Sequence, residues 1–142
     1  MPNPATIDVT TTETLPVRQE SDVILLTNRI RQQALRVSMS PLDQTKLSTA
    51  ASELARNMLI HGGGGNAQLD RIRRGLHAGI RLTFTDRGPG IADINLAMQD
   101  GYSTGKGMGM GLPGAKRLAD EFQVVSAVGE GTTVTILLWA ND

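Results

Sequence analysis

Cysteine is absent from the 142 residues, and aromatic side chains make up only 3% of them: one tryptophan, one tyrosine and two phenylalanines. Without thiols there is no disulfide framework, which fits a reducing compartment. So few aromatics leave no stacking platform for exposed bases. An excess of one charge is missing too. The 14 basic side chains balance 14 acidic ones, spread along the chain, so neither nucleic acid nor a membrane surface is an expected partner. No apolar run approaches the roughly 20 residues that span a bilayer. The start, Met-Pro-Asn-Pro-Ala-Thr-Ile-Asp, has neither the basic nor the apolar segment of a signal peptide. These absences predict a cytoplasmic protein, one domain over residues 1–142, long enough to bury a core.

Glycine is what the chain has in quantity. Between Asp100 and Gly114 stand Gly101, Gly105, Gly107, Gly109, Gly111 and Gly114, running into a predicted helix. Glycine lets backbone N–H groups approach a ligand with no Cβ in the way. A helix N-terminus beyond such a loop adds unpaired donors and the positive end of a dipole, which suits phosphate. No Gly-Lys-Ser/Thr closes the loop, so it is not a Walker motif.

Upstream, Ile80-Arg-Leu-Thr-Phe-Thr85 alternates apolar and polar residues and reads as a strand, which places Asp86 at its end. Gly88 and Gly90 then turn the chain around Pro89. A carboxylate there suits an exocyclic amine beside a flat ring, but Asp-x-Gly-x-Gly by itself is more often a plain strand-to-loop turn. Glu53 and Asn57, four apart in Ser52-Glu-Leu-Ala-Arg-Asn57, share one helix face. Such oxygens suit a base and a Mg²⁺ ligand beside phosphates, or simply a solvated face. Gly129-Glu-Gly-Thr-Thr133 leads into a last strand.

The remaining pattern predicts an edge strand over 5–18, a helix over 20–37 starting near Glu20 or Ser21, and a second helix from Pro41 to His61. Ser40 is that second helix's N-cap, and His61 suits its negative C-terminal end before Gly62-Gly-Gly-Gly65. Strands follow over 67–75 and 78–86, a short helix over 93–99, a helix over 112–121, and a hairpin of 122–128 with 132–139. Elements not in strict alternation indicate an α+β two-layer sandwich, with helices on one face of a mixed, mostly antiparallel sheet.

These blocks, in this order, resemble the GHKL ATPase/kinase superfamily (the HATPase_c, or Bergerat, fold). Glu53 and Asn57 match its N box, and Asp86, Gly88 and Gly90 its first glycine box. Gly105 to Gly111 match the second glycine box and lid, and Gly131-Thr132 the last one. Ser52-Glu-Leu-Ala-Arg-Asn57, Gly88-Pro-Gly-Ile-Ala-Asp93, Asp100-Gly-Tyr-Ser-Thr104 and the run from Gly111 to Phe122 are similar to the RsbT-type switch kinases of the anti-sigma-factor kinase group. Leu59-Ile-His-Gly62 is closer to the RsbW/SpoIIAB anti-sigma kinases, and Lys106, Met108 and Met110 depart from a leucine-richer lid.

The resemblance implies ATP and Mg²⁺ as cofactors, with Asn57 the metal ligand. Asp86 would receive the adenine amine, directly and through a water that Thr132 supports. Gly88, Gly90 and Ile91 would shape the slot. Ser103, Thr104, Gly105, Lys106, Gly107, Met108, Gly109, Met110, Gly111 and Leu112 would wrap the phosphates. Glu53 would be the general base. The implied activity is serine/threonine phosphorylation of a STAS-domain partner, with a phosphatase or other regulator as second partner. An RsbW-like factor binding a sigma factor, or a non-catalytic ATP-binding switch, is the alternative. A histidine kinase module would need a dimerisation helix and phospho-acceptor histidine, and a gyrase-type ATPase a transducer domain.

Overall fold

A computed structural model describes residues 6–91, 98 and 111–140. The helix expected over 93–99, apart from Met98, lies outside these residues. So do Ser103, Thr104, Gly105, Lys106, Gly107, Met108, Gly109 and Met110.

The elements are β1 (Asp8–Val17), α1 (Glu20–Arg36), α2 (Pro41–His61), β2 (Gly65–Arg74), β3 (His77–Asp86), α3 (Gly111–Leu118), β4 (Glu121–Ala127) and β5 (Gly131–Trp139). The sheet order is β1-β2-β3-β5-β4. Every pairing among the described residues is antiparallel, so the mixed sheet expected from the sequence narrows to an antiparallel one. All three helices pack on one face. Val23, Leu26 and Ile30 of α1, Leu47, Leu54 and Met58 of α2, and Leu112 and Ala115 of α3 meet Leu69, Ile80, Leu82, Phe84, Val134 and Ile136 from alternate positions of the strands.

Local chemistry sets the boundaries. The Ser40 hydroxyl accepts from the Asp43 N–H at 3.1 Å, and Pro41 occupies the first helical position of α2. At the start of α1 the Asp22 carboxylate accepts from the backbone N–H groups of Arg18 and Gln19, so Gln19 is the cap residue and the helix begins at Glu20, where the spacing puts it. The β2–β3 hairpin closes on the two residues Gly75 and Leu76, with Gly75 at φ +63°, a position where glycine is favoured. α3 stops at Leu118, earlier than its apolar spacing suggests. The Asp120 N–H bonds the Leu137 carbonyl at 2.9 Å and its carboxylate accepts from the Trp139 N–H at 2.8 Å, which draws the chain into the sheet.

The face turned away from the helices is held by polar pairs. Asp70 of β2 is fully buried there. Its carboxylate accepts from Thr12 Oγ1 at 2.8 Å, Arg81 Nε at 3.1 Å and Gln68 Nε2 at 3.3 Å, tying three strands together. At the far end of the same face, Glu121 accepts from the Trp139 indole at 3.0 Å and from Arg74 at 3.1 Å, while Arg74 lies over the Trp139 ring. The indole hydrogen bond holds the Glu121 carboxyl below its ordinary range against a desolvation effect of opposite sign, with Arg74 adding to the lowering. Its contribution is therefore present above the ordinary carboxylate range and fades as pH falls through the lowered value.

The Asp70 cluster yields a stability test. Asp70→Ala strands a partly buried Arg81 guanidinium and the Thr12 hydroxyl at once. Denaturant unfolding should show a loss of about 2–3 kcal/mol. A loss below about 0.5 kcal/mol, the level of an ordinary surface change, would mean the cluster contributes little.

Candidate functional site

The C-terminal half of α2, the end of β3 and the start of β5 converge on an open cleft. Leu54, Met58, Phe84, Ile91 and Val134 make its apolar walls, and Asn57, His61, Asp86 and Thr132 its polar ones. A flat apolar slot with a few polar groups on its rim is the form of a small-molecule site.

Asp86 is placed by backbone. Its Oδ1 accepts from the Gly88 N–H at 2.8 Å and the Thr132 N–H at 3.3 Å. Among the described residues Oδ2 takes no such bond, so one carboxylate oxygen is left to accept from a ligand donor. The surrounding chain comes close enough to exclude side chains. A Cβ on Gly62 would stand 2.5 Å from Asp86 Cγ, and one on Gly131 would stand 2.1 Å from the Asp86 carbonyl oxygen.

The loop after Asp86 is fastened to the β4–β5 hairpin at two points. The Gly129 N–H donates to the Pro89 carbonyl at 2.8 Å, and the Ile91 N–H to Ser126 Oγ at 2.7 Å. Between them Gly90 takes φ +78°, and a Cβ there would meet the Ala127 carbonyl at 2.2 Å.

Of the residues singled out in the sequence, Asn57, Asp86, Gly90, Ile91 and Thr132 line this one cleft. Gly88 sits beside it, with a would-be Cβ 2.6 Å from Gly62 Cα. Glu53 is half-buried one turn before Asn57, off the lining residues. Gly111 opens α3 at φ +47°, whereas the Leu112 side chain is buried in the core and is not among the lining residues. Sequence reasoning passed over Gly62, read only as a helix stop, and Phe84 and Val134, read only as strand residues. It read His61 as a helix-end charge, whereas the cleft wall also includes it. Among the described residues no group of three or more acidic or histidine side chains could by itself hold a metal.

The histidine kinase-, DNA gyrase B- and HSP90-like ATPase family matches residues 42–142. The chain is also 38% identical over 123 residues to the serine/threonine-protein kinase RsbT of Bacillus subtilis, covering 87% of this chain and 92% of that one. It belongs to this ATPase family, in its RsbT-type branch. An anti-sigma F factor of Bacillus cereus is a further relative of this RsbT-type chain, 32% identical over 123 residues, covering 80% of this chain and 83% of that one. In fold it resembles the crystal structure of the RsbU and RsbW domains of a Mycobacterium tuberculosis protein, at TM-score 0.64 and 18% identity. That likeness covers 94% of this chain and 34% of the solved one. No helix among the described residues is long and apolar enough to cross a membrane.

The contact between Gly62 and Asp86 gives this RsbT-type chain a specific weakness. Gly62→Ala forces the Asp86 carboxylate out of place while leaving every polar group present. Calorimetric affinity for ADP should fall about ten- to hundredfold, as should that of Asp86→Asn. Wild-type affinity in both variants would remove Asp86 from the binding site.

Proposed function

We propose that the protein is an ATP-dependent serine/threonine kinase of the RsbT type, acting on a STAS-domain partner and exchanging that partner for a second regulator after phosphorylation. The cleft supports the nucleotide half of this reading, since Asn57 and Asp86 line it together and one Asp86 oxygen takes no bond among the described residues. The kinase half rests on one observation, the 38% identity to RsbT along nearly the whole of both chains.

The donor set fits a magnesium nucleotide. Asn57 offers a neutral oxygen, and with no acidic cluster nearby the remaining ligands would be phosphate oxygens and water, the usual arrangement for Mg²⁺. Mg²⁺ would neutralise phosphate charge when bound. Asp86 would accept from the adenine amine while the apolar walls cover the ring faces. The loop ending at Gly111, with the first turn of α3, would carry the phosphates. Phosphoryl transfer asks mainly for positioning and charge neutralisation. Glu53, one turn from Asn57 and clear of the cleft wall, takes the proton from the partner's hydroxyl as that oxygen bonds to the γ-phosphorus and ADP leaves.

A second reading has its own support. The anti-sigma F factor relatives, together with Leu59-Ile-His-Gly62, favour a factor that binds a sigma subunit as well as phosphorylating its antagonist. Both readings place the protein in the cytoplasm.

Glu53→Gln should leave ADP affinity nearly intact and slow transfer to a STAS protein by about 10²–10⁴-fold. Asn57→Ala should lose Mg²⁺-dependent binding and transfer together. The measurement is labelled γ-phosphate transfer, with acid stability of the product excluding phosphohistidine. If wild type retains a sigma subunit on a column, the anti-sigma reading replaces the RsbT-type one; if it labels no partner at all, the kinase assignment fails. If Glu53→Gln transfers as fast as wild type, Glu53 is not the base.

A further inference from the structure

Ser126 lies on β4, outside the cleft, opposite Thr132 across the β4–β5 hairpin. Its hydroxyl is a junction of three contacts. It accepts from the Ile91 N–H at 2.7 Å, lies 3.0 Å from the Gly131 carbonyl, and lies 2.8 Å from Thr132 Oγ1. A serine has one hydrogen and two lone pairs. An N–H can only donate and a carbonyl can only accept, so Ser126 receives the Ile91 hydrogen and gives its own to Gly131. All three contacts are then satisfied in one way only: the Thr132 hydroxyl donates its hydrogen to Ser126.

That assignment decides what the cleft offers a ligand. With its hydrogen committed to Ser126, the hydroxyl of Thr132, a residue of the cleft wall, has only lone pairs left to offer a ligand. Asp86 beside it is a carboxylate whose Oδ1 already holds two N–H groups and whose Oδ2 is an acceptor. The Asp86 and Thr132 side chains are thus both acceptors. A base carrying an amine at the corresponding edge is welcomed. One carrying a carbonyl there sets lone pairs against lone pairs, and a mismatched buried polar edge is penalised more than a good one is rewarded.

We propose that Ser126 is a positioning residue for base selection: by fixing the direction of the Thr132 hydrogen, it makes the site accept amino-bearing purines and reject 6-oxo purines. This rests on the reading of the cleft as a nucleotide site. Once Ser126 is removed, the Thr132 hydrogen is free to swing into the cleft and donate to a 6-oxo group, so discrimination relaxes.

The test is calorimetric affinity of the whole chain for ADP and for IDP, which replaces the amine with a carbonyl and turns N1 from an acceptor into an N–H donor. Both changes are the same in every variant, so a change in the ratio between variants reads the Thr132 hydrogen. Wild type should prefer ADP. In Ser126→Ala the ADP-to-IDP ratio should fall about tenfold, the worth of one hydrogen bond. Ser126→Thr, which keeps the hydroxyl, should restore it. Loosening of the Ile91 loop alone would lower both affinities by the same factor and leave the ratio untouched, and that result overturns the proposal. Ser126→Cys, which fills the same space with a weak hydrogen-bonding group, decides the matter if the alanine variant does not fold, and the ratio should fall there too. In a Thr132→Val background Ser126→Ala should not change the ratio further; an undiminished effect there also overturns the proposal. A wild-type chain that binds ADP and IDP equally, or binds neither, removes the adenine reading itself along with the role of Ser126. A clear wild-type preference with an unchanged ratio in the Ser126 variants removes only that role.

Discussion

Backbone packs against Asp86 so closely that neither Gly62 nor Gly131 has room for one additional carbon. The end of α2, the strand β2 at Gly65, the loop at Gly88 and the start of β5 at Gly131 all approach Asp86 or one another to distances that a Cβ would violate. This crowding sets the end of α2 against the Asp86 side chain and the start of β5 against its backbone, while its carboxylate accepts from Gly88 and Thr132. Among the described residues, that carboxylate is fixed by two backbone N–H groups and by no side-chain cation. A side-chain cation would neutralise Asp86, whereas N–H dipoles hold it and leave it a full acceptor for whatever enters the cleft.

α2 couples this site to the core. Its buried residues Leu47, Ala51, Leu54 and Met58 anchor it, and Leu54 and Met58 also wall the cleft. Asn57 therefore occupies a position set by core packing and not by a loop. Sites borne on packed helices hold their geometry more closely than sites on connections. Glu53 rides on the same rigid element, so its distance from Asn57 is set by helix geometry.

Much of this was legible locally and little of it at long range. Ser40-Pro41 announces the start of α2 and Gly62 its end because capping is a matter of adjacent residues. The β2–β3 and β4–β5 hairpins are visible for the same reason. The Asp70 cluster was not, because Thr12, Asp70 and Arg81 become neighbours only after three strands pair, and each alone reads as an ordinary surface residue. Gly62 looked like a helix terminator; its packing on Asp86 depends on a strand that follows much later. Ser126 carried no signal in the sequence, since a lone serine in a strand says nothing of what it faces. The end of α3 was overrun because apolar spacing continues through Ala119, while the competing pull of Asp120 toward β5 comes from outside the helix.

Trp139, the chain's one tryptophan, closes β5 at the end opposite Thr132. Seven residues of extended strand put it about 23 Å from the cleft. With Arg74 over its ring and Glu121 on its indole nitrogen, its surroundings are set by the sheet alone. Its intrinsic fluorescence is thus a natural probe of sheet integrity that is blind to occupancy of the cleft. Folding and ligand binding can be followed by separate signals in one unlabelled sample.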